Sequence, residues 1–140
     1  MRRWAKRTLL GIVVVFGAIQ LVPYGHTHTV RPVLAEPKWP TPETRALAKR
    51  ACFDCHANET TWPWYAHVAP VSWLVQHDVD EGREVLNYSE WRGATKASRE
   101  AGEEMREGEM PPWYYVALHP KARLTATDKD VLARDLSALQ

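Results

Sequence analysis

The sequence is poor in cysteine and in strand signals. Its 140 residues include only two cysteines, Cys52 and Cys55, and no second pair of ligands has the spacing of a zinc site. It has no alternating apolar and polar run long enough to predict a β-strand. It also has no internal repeat and no low-complexity block. These absences argue against a closed four-ligand zinc site and against a redox disulfide on a βαβ unit. They favour an all-α domain.

Clustered basic residues are also missing beyond the first seven positions. The formal net charge is +1, but four of the 18 Lys and Arg residues precede Thr8, which leaves 14 basic against 17 acidic residues in the remainder. Phosphate binding needs clustered Lys and Arg, so we expect no nucleic-acid partner. A mildly acidic surface is suited instead to a basic protein partner.

The N-terminal residues 1–24 are predicted to be a signal anchor. The basic stretch MRRWAKR is followed by the apolar run TLLGIVVVFGAIQLV, from Thr8 to Val22, and this order is typical of a secretory signal or a signal anchor. As a helix the run would span roughly 22 Å, short of the ~30 Å hydrocarbon core, so flanking interfacial residues would complete a membrane pass. Cleavage after Val33-Leu34-Ala35 is the alternative. In both cases the domain that follows is exported.

Residues 25–40 are predicted to be a stiff, extended linker. The stretch PYGHTHTVRPVLAEPKWPTP around it contains five prolines, which favour extended backbone. His26 and His28 form an H-x-H pair in this linker, and solvated side chains are a better interpretation of the pair than a metal site. The folded domain then occupies residues 41–140.

The first half of this domain has a helical pattern. Thr41 is a candidate N-cap, from which a helix is predicted to run into Cys52. A second helix is predicted over residues 71–87. Its expected apolar stripe consists of Val71, Leu74, Val75, Val79 and Leu86.

The second half of the domain has two further helical patterns. A polar helix is predicted to end near Gly108, since glycine often closes a helix. A terminal amphipathic helix is predicted to begin at Thr125, with Asp128 completing a capping box. The intervening residues 110–124 are predicted to be a loop.

The two cysteines belong to the motif CFDCH, residues 52–56. C-x-x-C-H is the attachment signature of c-type haem, in which two thiols add to the two vinyl groups of the porphyrin and the histidine ligates the iron. We therefore predict one covalent haem c on Cys52 and Cys55, with His56 as the proximal ligand. A redox disulfide and half of a zinc site are the alternatives. The first of these needs a low-pKa thiolate at a helix N-terminus, whereas these cysteines follow a helix.

Met110 is the predicted second axial ligand of the iron. It stands in EGEMPPWY, after a helix-ending glycine and before two prolines that would hold the loop extended. A thioether ligand raises the reduction potential relative to a second histidine. The strongest rival is His67, which follows in the loop after the motif. Met105, His77 and His119 are weaker rivals, and Met105 is better interpreted as a packing residue.

Aromatic residues are abundant, and their flat apolar rings suit a haem pocket. Trp64 and Arg83 are candidate contacts of the haem propionates, because an indole N–H and a guanidinium both donate hydrogen bonds. Some of the other rings are expected to form the core of the domain instead. The aromatic residues considered are Trp62, Trp64, Tyr65, Trp73, Trp91, Trp113, Tyr114 and Tyr115.

Two segments of the chain carry a recognisable pattern, CFDCHANETTWPWYAHVAPVSWLVQHDVDEGREVLNYSEW and GEMPPWYYVALHPKARLT. In both, the sequence resembles the haem-binding domain family of small bacterial monohaem proteins, over about residues 41–140. The residues in register after the haem motif are Asn58, Thr60, Pro63, Trp64, Tyr65, Pro70 and Trp73. Ala57 and Tyr88 stand where the family usually has Ser and Phe. The resemblance implies covalent haem on the two cysteines, His56 as axial ligand, a cytochrome-c-like helical domain and an N-terminal membrane anchor.

The predicted function is that of a monohaem c-type cytochrome that transfers single electrons and catalyses no reaction. In bacteria this haem is attached outside the cytoplasm, so we expect a single-pass protein of the inner membrane with its haem domain in the periplasm. Its partners would be redox proteins of the periplasm or inner membrane. A haem-based sensor with an open or displaceable distal site is the alternative. A peroxidase is a third interpretation, but it would need a positioned acid–base residue that the sequence does not indicate.

Overall fold

The regular structure of the chain is helical throughout residues 2–139, the part that the computed structural model describes. The α-helices are α1 (Arg2–Ile19), α2 (Pro42–Ala51), α3 (Phe53–His56), α4 (Val71–Val85), α5 (Lys96–Glu107), α6 (Trp113–Leu118) and α7 (Ala126–Ser137). Single 3-10 turns lie at Trp64–His67 and Pro120–Ala122. Extended pairing within the described range is limited to one isolated bridge between Ala35 and Glu90. The predicted all-α class is confirmed.

Local capping explains where the longer helices begin and end. Thr41 caps α2, and its hydroxyl accepts the N–H of Thr44 as predicted. Thr125 caps α7 in a capping box with Asp128, also as predicted. Helix α5 ends at Gly108, whose backbone is left-handed with φ 87°. The three helix boundaries read from capping residues are therefore correct.

The chain divides into two compact units. The first unit contains the residues up to Thr29 and the segment Trp62–Asp78, and the second contains Val30–Thr61 and the residues from Val79 onward. The second unit thus holds the CFDCH motif and most of the predicted domain. Part of the predicted linker also belongs to this unit, since the backbone N–H groups of Leu34 and Ala35 donate to the Ser89 carbonyl.

Helix α1 takes up the basic stretch and most of the apolar run. Its side chains are exposed, and Gln20 just beyond it hydrogen-bonds both the N–H and the carbonyl of Ala69 at 2.9 and 3.0 Å. Across residues 2–139, none of the helices combines the length and the apolar composition that crossing a lipid bilayer requires. The structure therefore does not confirm the predicted N-terminal membrane helix.

His28 differs from its predicted solvated state. Its ring packs within the first unit, 4.3 Å from the Trp62 ring and 4.2 Å from the His67 ring between centroids. Burial lowers the pKa of His28, and the nearby His67 acts in the same direction. The proline-rich composition predicted an extended backbone here, but it carried no information on which side chains pack against one another.

The core of the second unit forms where α2, α5 and α7 meet the turn that contains CFDCH. Phe53 stacks on Tyr88 at 5.8 Å between ring centroids, and both rings are almost fully buried. Burying a side chain of this size contributes about 1.5–3 kcal/mol. Met105 is 1% exposed within the same core, so its interpretation as a packing residue is confirmed. The other large buried members are Leu86, Leu124, Leu132, Leu136 and Leu139.

One prediction about the helices is wrong, and another is confirmed only in part. Residues 110–124 are not a continuous loop, since they contain α6 and a 3-10 turn; Pro112, at φ −58°, leads into α6 because proline is preorganised for a helix start. The apolar stripe of α4 is also only partly buried. Val71 and Leu74 are 41% and 49% exposed, whereas Val79 and Leu86 are buried. Periodicity predicted the helix correctly, but not which of its turns would be covered.

Candidate haem site

The CFDCH motif forms one tight helical turn at the end of α2. The carbonyl of Cys52 accepts the N–H of Cys55 at 3.2 Å and that of His56 at 2.8 Å. The two cysteines are not joined by a disulfide. Burial raises the pKa of the Cys52 thiol to about 12, so this group stays protonated at neutral pH. A redox disulfide needs the opposite, a thiolate with a low pKa, and the structure disfavours that alternative.

A zinc site is not supported either. Within the described range 2–139, no three His, Cys, Asp or Glu side chains are grouped so that they could hold a metal ion. A structural zinc ion needs four such ligands. The cysteine pair is therefore not half of a zinc site in the part of the chain that the structure covers.

His56 is held in one defined orientation. Its Nδ1 lies 2.9 Å from the Gly82 carbonyl oxygen and 3.0 Å from the Leu86 carbonyl oxygen. Both partners only accept hydrogen bonds, so Nδ1 carries the proton and Nε2 keeps its lone pair. Burial lowers the pKa of the imidazole, while these two hydrogen bonds act in the opposite direction. A neutral ring with an available Nε2 is what an iron ligand requires.

Gly82 lets helix α4 approach this turn closely. A Cβ atom built at Gly82 would lie 2.7 Å from the Cys55 carbonyl oxygen and 3.1 Å from the Cys55 Cβ. A side chain of any size would push α4 away from the motif. The absence of a side chain at position 82 therefore brings the Gly82 and Leu86 carbonyls within reach of His56.

Asn58 organises the chain just after the motif. Its side-chain Nδ2 donates to the Pro32 carbonyl at 2.9 Å and to Glu90 Oε1 at 3.0 Å, and its side-chain Oδ1 accepts from Asn87 Nδ2. Its backbone N–H donates to Ser89 Oγ at 3.0 Å. With 1% of its surface exposed, Asn58 satisfies its buried polar groups through these contacts. It ties the motif to the extended segment before α2 and to the turn after α4.

Arg83, the predicted propionate contact, binds the loop that follows the motif. Its Nε donates to the Ala57 carbonyl and its Nη2 to Thr60 Oγ1, both at 2.9 Å. Burial lowers the pKa of Arg83, but a guanidinium keeps its charge in proteins. Its remaining N–H groups are compatible with the predicted contact, which stays a prediction.

Asp54, between the two cysteines, is a further site residue that sequence reasoning missed. Its Oδ1 accepts the Thr61 N–H at 3.0 Å, and its Oδ2 accepts the Tyr115 hydroxyl at 2.7 Å. Its backbone carbonyl accepts the Thr60 hydroxyl, also at 2.7 Å. The two middle residues of a C-x-x-C-H motif have no prescribed identity, so the sequence carried no signal for this role.

Met110 lies between α5 and α6 in the same unit as His56. Its backbone N–H donates to the Glu104 carbonyl at 3.2 Å, and it precedes Pro111 through a cis peptide bond. The residue is 38% exposed, in contrast to the buried Met105. The assignment of Met110 as the second axial ligand stays a prediction.

The rival histidines have other surroundings. His67 belongs to the first unit and packs edge-on against His28. His77 is on the exposed side of α4. The His119 ring stacks on Tyr115 at 4.1 Å between centroids, and its Nδ1 lies 2.9 Å from the Tyr115 carbonyl. Of the sulfur and imidazole candidates, Met110 is the one whose loop leads directly into a helix bonded to the motif.

The predicted aromatic pocket residues differ widely in exposure. Trp64 lies in the first unit, is 78% exposed and makes an edge contact with Tyr65. Trp113 at the start of α6 is 81% exposed. Trp91, by contrast, stacks within the second unit on the core residue Tyr88, at 6.3 Å between ring centroids. The role of Trp64 at a propionate stays a prediction, while Tyr88 serves the core.

The donor set of this site fits a haem. It offers two cysteines on one helical turn and a neutral imidazole whose Nε2 is available. A model of the haem-binding domain family matches residues 14–137 of the chain. Searches of curated proteins and of solved structures found no match. The match covers most of the sequence, including the motif and the Met110 loop, and the chain belongs to the haem-binding domain family.

Proposed function

We propose that this protein is a monohaem c-type cytochrome that transfers single electrons. The observation that supports it best is the His56 ring, whose Nδ1 is bonded to two backbone carbonyls and whose Nε2 therefore faces away with its lone pair. Cys52 and Cys55, one helical turn apart, would hold the group covalently through two thioether bonds. The haem held there would supply one-electron chemistry, because its iron can be ferric or ferrous.

Met110 would supply the second axial ligand. It follows the left-handed Gly108 and precedes two prolines, so the loop that carries it has little freedom. His56 and Met110 together would hold the iron from both sides, which would leave no coordination site for a substrate and favours electron transfer over catalysis. We infer from this that the protein is not an enzyme.

The location follows from the chemistry of attachment. Thioether bonds to haem are made outside the cytoplasm in bacteria, so the second unit belongs in the periplasm. The basic and apolar N-terminal residues would serve as export signal or anchor at the inner membrane. Redox proteins of the periplasm or inner membrane are the expected partners, and cell fractionation with an antibody against the chain tests this location.

Visible spectra of the full chain, produced alongside a c-type haem maturation system, test the proposal. We expect haem that stays with the polypeptide in acidified organic solvent, a low-spin spectrum, and a weak red-end sulfur-to-iron band in the ferric form. Loss of all haem into the solvent would contradict covalent attachment. A high-spin spectrum would contradict saturation of both axial positions.

Met110→Ala tests the axial assignment in the same preparation. We expect the red-end band to disappear and the reduction potential to fall, because the soft thioether favours ferrous iron. The matched control is Met105→Leu, a volume-conserving change in the core that should leave both properties unchanged. An unchanged spectrum in Met110→Ala would transfer the assignment to His67 or to an open site.

A haem-based sensor is the second candidate function. It is favoured by one observation: Met110 lies in a short loop between α5 and α6, apart from the buried core cluster of the second unit. A ligand on such a loop is more readily displaced than one in the core. In a sensor, carbon monoxide would bind the ferrous protein rapidly and stoichiometrically. In the proposed cytochrome it would bind slowly or only in part.

A further inference from the structure

The Asp54 carboxylate joins three parts of the second unit. One oxygen accepts the Thr61 N–H at 3.0 Å from the loop that follows the motif, and the other accepts the Tyr115 hydroxyl at 2.7 Å from α6. Asp54 itself lies between the two haem-attaching cysteines. Hydrogen bonds to a carboxylate are among the stronger ones in proteins. A movement of α6 away from the motif would therefore break a strong bond.

The surroundings of Tyr115 fix its ring and keep its hydroxyl protonated, so that it can donate the hydrogen bond to Asp54. Its ring is stacked on His119 at 4.1 Å between centroids with an interplanar angle of 23°. Burial, followed by the Asp54 charge, raises the pKa of the Tyr115 hydroxyl above its ordinary range, so the hydroxyl keeps its proton. The His119 N–H itself donates to the Tyr115 carbonyl at 2.9 Å. The donor is thus held in place from the side of its own helix.

The Met110 loop, residues 108–112, connects the end of α5 to the helix that carries Tyr115. On the upstream side, the N–H groups of Glu109 and Met110 donate to the Glu104 carbonyl at 3.0 and 3.2 Å. On the downstream side, α6 begins at Trp113 and carries Tyr115 in its first turn. One end of the loop is therefore bonded to α5. The other end is bonded, through Tyr115 and Asp54, to residues 52–61, which we call the attachment turn.

We propose that Tyr115 and Asp54 are positioning residues that set the Met110 loop against the haem-attachment turn. This inference rests on the proposed function, because it concerns the ligand that Met110 supplies there. Without the hydroxyl, α6 keeps its ring packing but loses its bond to the motif. The loop then opens more often, and an external ligand competes more successfully for the sixth position.

Imidazole titration of the ferric full-length holoprotein measures this competition. The probe is free imidazole, followed by the change in the visible spectrum. In Tyr115→Phe we expect the apparent imidazole affinity to rise about tenfold or more, the effect expected from losing one hydrogen bond to a charged group. The red-end sulfur-to-iron band should weaken in parallel. Asp54→Asn, which keeps the shape but removes the charge, should show a smaller rise and serves as the second variant if Tyr115→Phe does not fold.

The matched control is Tyr114→Phe, which removes a hydroxyl from the neighbouring position of the same helix and leaves the Asp54 bond in place. Its imidazole affinity should equal that of the unmodified protein. Equal affinities in Tyr115→Phe, Asp54→Asn and the unmodified protein would overturn the inference. A rise of the same size in Tyr114→Phe would also overturn it, since any loosening of α6 would then suffice.

Met110→Ala separates failure of this inference from failure of the proposed ligation. If Met110→Ala greatly raises imidazole affinity while Tyr115→Phe leaves it unchanged, Met110 is on the iron and only the positioning role fails. If Met110→Ala leaves the affinity unchanged, the proposed ligation fails and the positioning role fails with it. In the double variant Met110→Ala/Tyr115→Phe we expect no rise beyond that of Met110→Ala, because Tyr115 acts through Met110.

Discussion

The attachment turn (residues 52–61) and the Met110 loop (residues 108–112) would face the same cofactor but are built differently. The turn is buried against the core at Phe53 and Asn58, which are 2% and 1% exposed. It is also bonded to the segment before α2 and to α4 by several side chains. The Met110 loop has a 38% exposed methionine and depends on the end of α5 and on the Tyr115–Asp54 bond.

This difference indicates that the two regions would hold the proposed cofactor in different ways. The attachment turn is part of the folded core, so its geometry is maintained by the free energy of folding of the whole unit. The Met110 loop is a local structure that can change without unfolding the rest. Substitutions at the turn should therefore affect stability most, whereas substitutions at the loop should affect the sixth ligand most.

The largest effect is expected from Gly82→Ala. The new Cβ would lie 2.7 Å from the Cys55 carbonyl oxygen, so α4 must move away from the turn and weaken the His56 hydrogen bonds. We expect the free energy of unfolding to fall by about 3 kcal/mol, as in other overpacked cores. Urea unfolding of the holoprotein measures it.

The control for this prediction is Glu84→Ala, which introduces the same residue on the exposed side of the same helix. Its free energy of unfolding should change little. If Gly82→Ala were as stable as Glu84→Ala, the close contact between α4 and the attachment turn would not be important for stability, and the contrast with the Met110 loop would disappear.

Gly108→Ala should have an intermediate effect and sharpen the contrast. Gly108 has φ 87° and no neighbouring atom within 4 Å of an added Cβ, so the cost is conformational rather than steric. A left-handed backbone costs an alanine about 1 kcal/mol. We expect a fall of this size in urea unfolding, together with a weaker sulfur-to-iron band. Glu107→Ala, on the adjacent exposed residue, should leave the band intact; equal bands in both variants would contradict the prediction.

The smallest effect on the free energy of unfolding is expected from Glu36→Gln, in the extended segment before α2. Glu36 accepts from Arg45 at 2.7 and 2.6 Å and from Trp39 at 2.9 Å, and Trp39 packs on Phe53. The pair is partly exposed, so solvent screening limits the loss to about 1 kcal/mol or less at neutral pH. The exposed Glu103→Gln is the control.

This third effect should depend on pH. The hydrogen bond from Arg45 lowers the pKa of Glu36 below its ordinary value of 4.5. The carboxylate therefore stabilises the folded state above that value, and its contribution is lost as the pH falls through the lower value of the folded protein. The stability difference between Glu36→Gln and the unmodified protein should shrink over this range. The test extends to about pH 3, which is ~1.5 pH units below the ordinary pKa of a glutamate. If the difference in the free energy of unfolding stayed constant down to that pH, the charge of Glu36 would not be involved.

The parts of the fold that were predicted correctly depend on interactions between residues that are close together in the sequence. Thr41, Thr125 and Gly108 mark helix ends because capping involves atoms three or four residues apart. Helix α6 was missed because two prolines precede it and its aromatic residues have no clear helical period. His28 was misjudged because its partners, Trp62 and His67, are more than thirty residues away.

The candidate site shows the same limit. Cys52, Cys55 and His56 were selected because the spacing of the C-x-x-C-H motif is itself a chemical signal, and their bonds to haem stay a prediction. The orientation of the His56 ring could not be predicted, since it depends on carbonyls 26 and 30 residues away that reach it only because position 82 is a glycine. Arg83 was predicted to contact the cofactor because of its positive charge. Its hydrogen bonds to Ala57 and Thr60 could not be predicted, since they depend on where α4 packs.

The sequence by itself determined the helical class, the capped ends of the longer helices and the C-x-x-C-H spacing on which the haem prediction rests, because all of these follow from residues close together in the chain. The tertiary structure decided which nitrogen of His56 is available and which helix turns are buried. It also decided that Asp54 meets Tyr115 across 61 residues. Such contacts form only when separate helices pack, and the identities of the two residues do not indicate in advance which helices will do so.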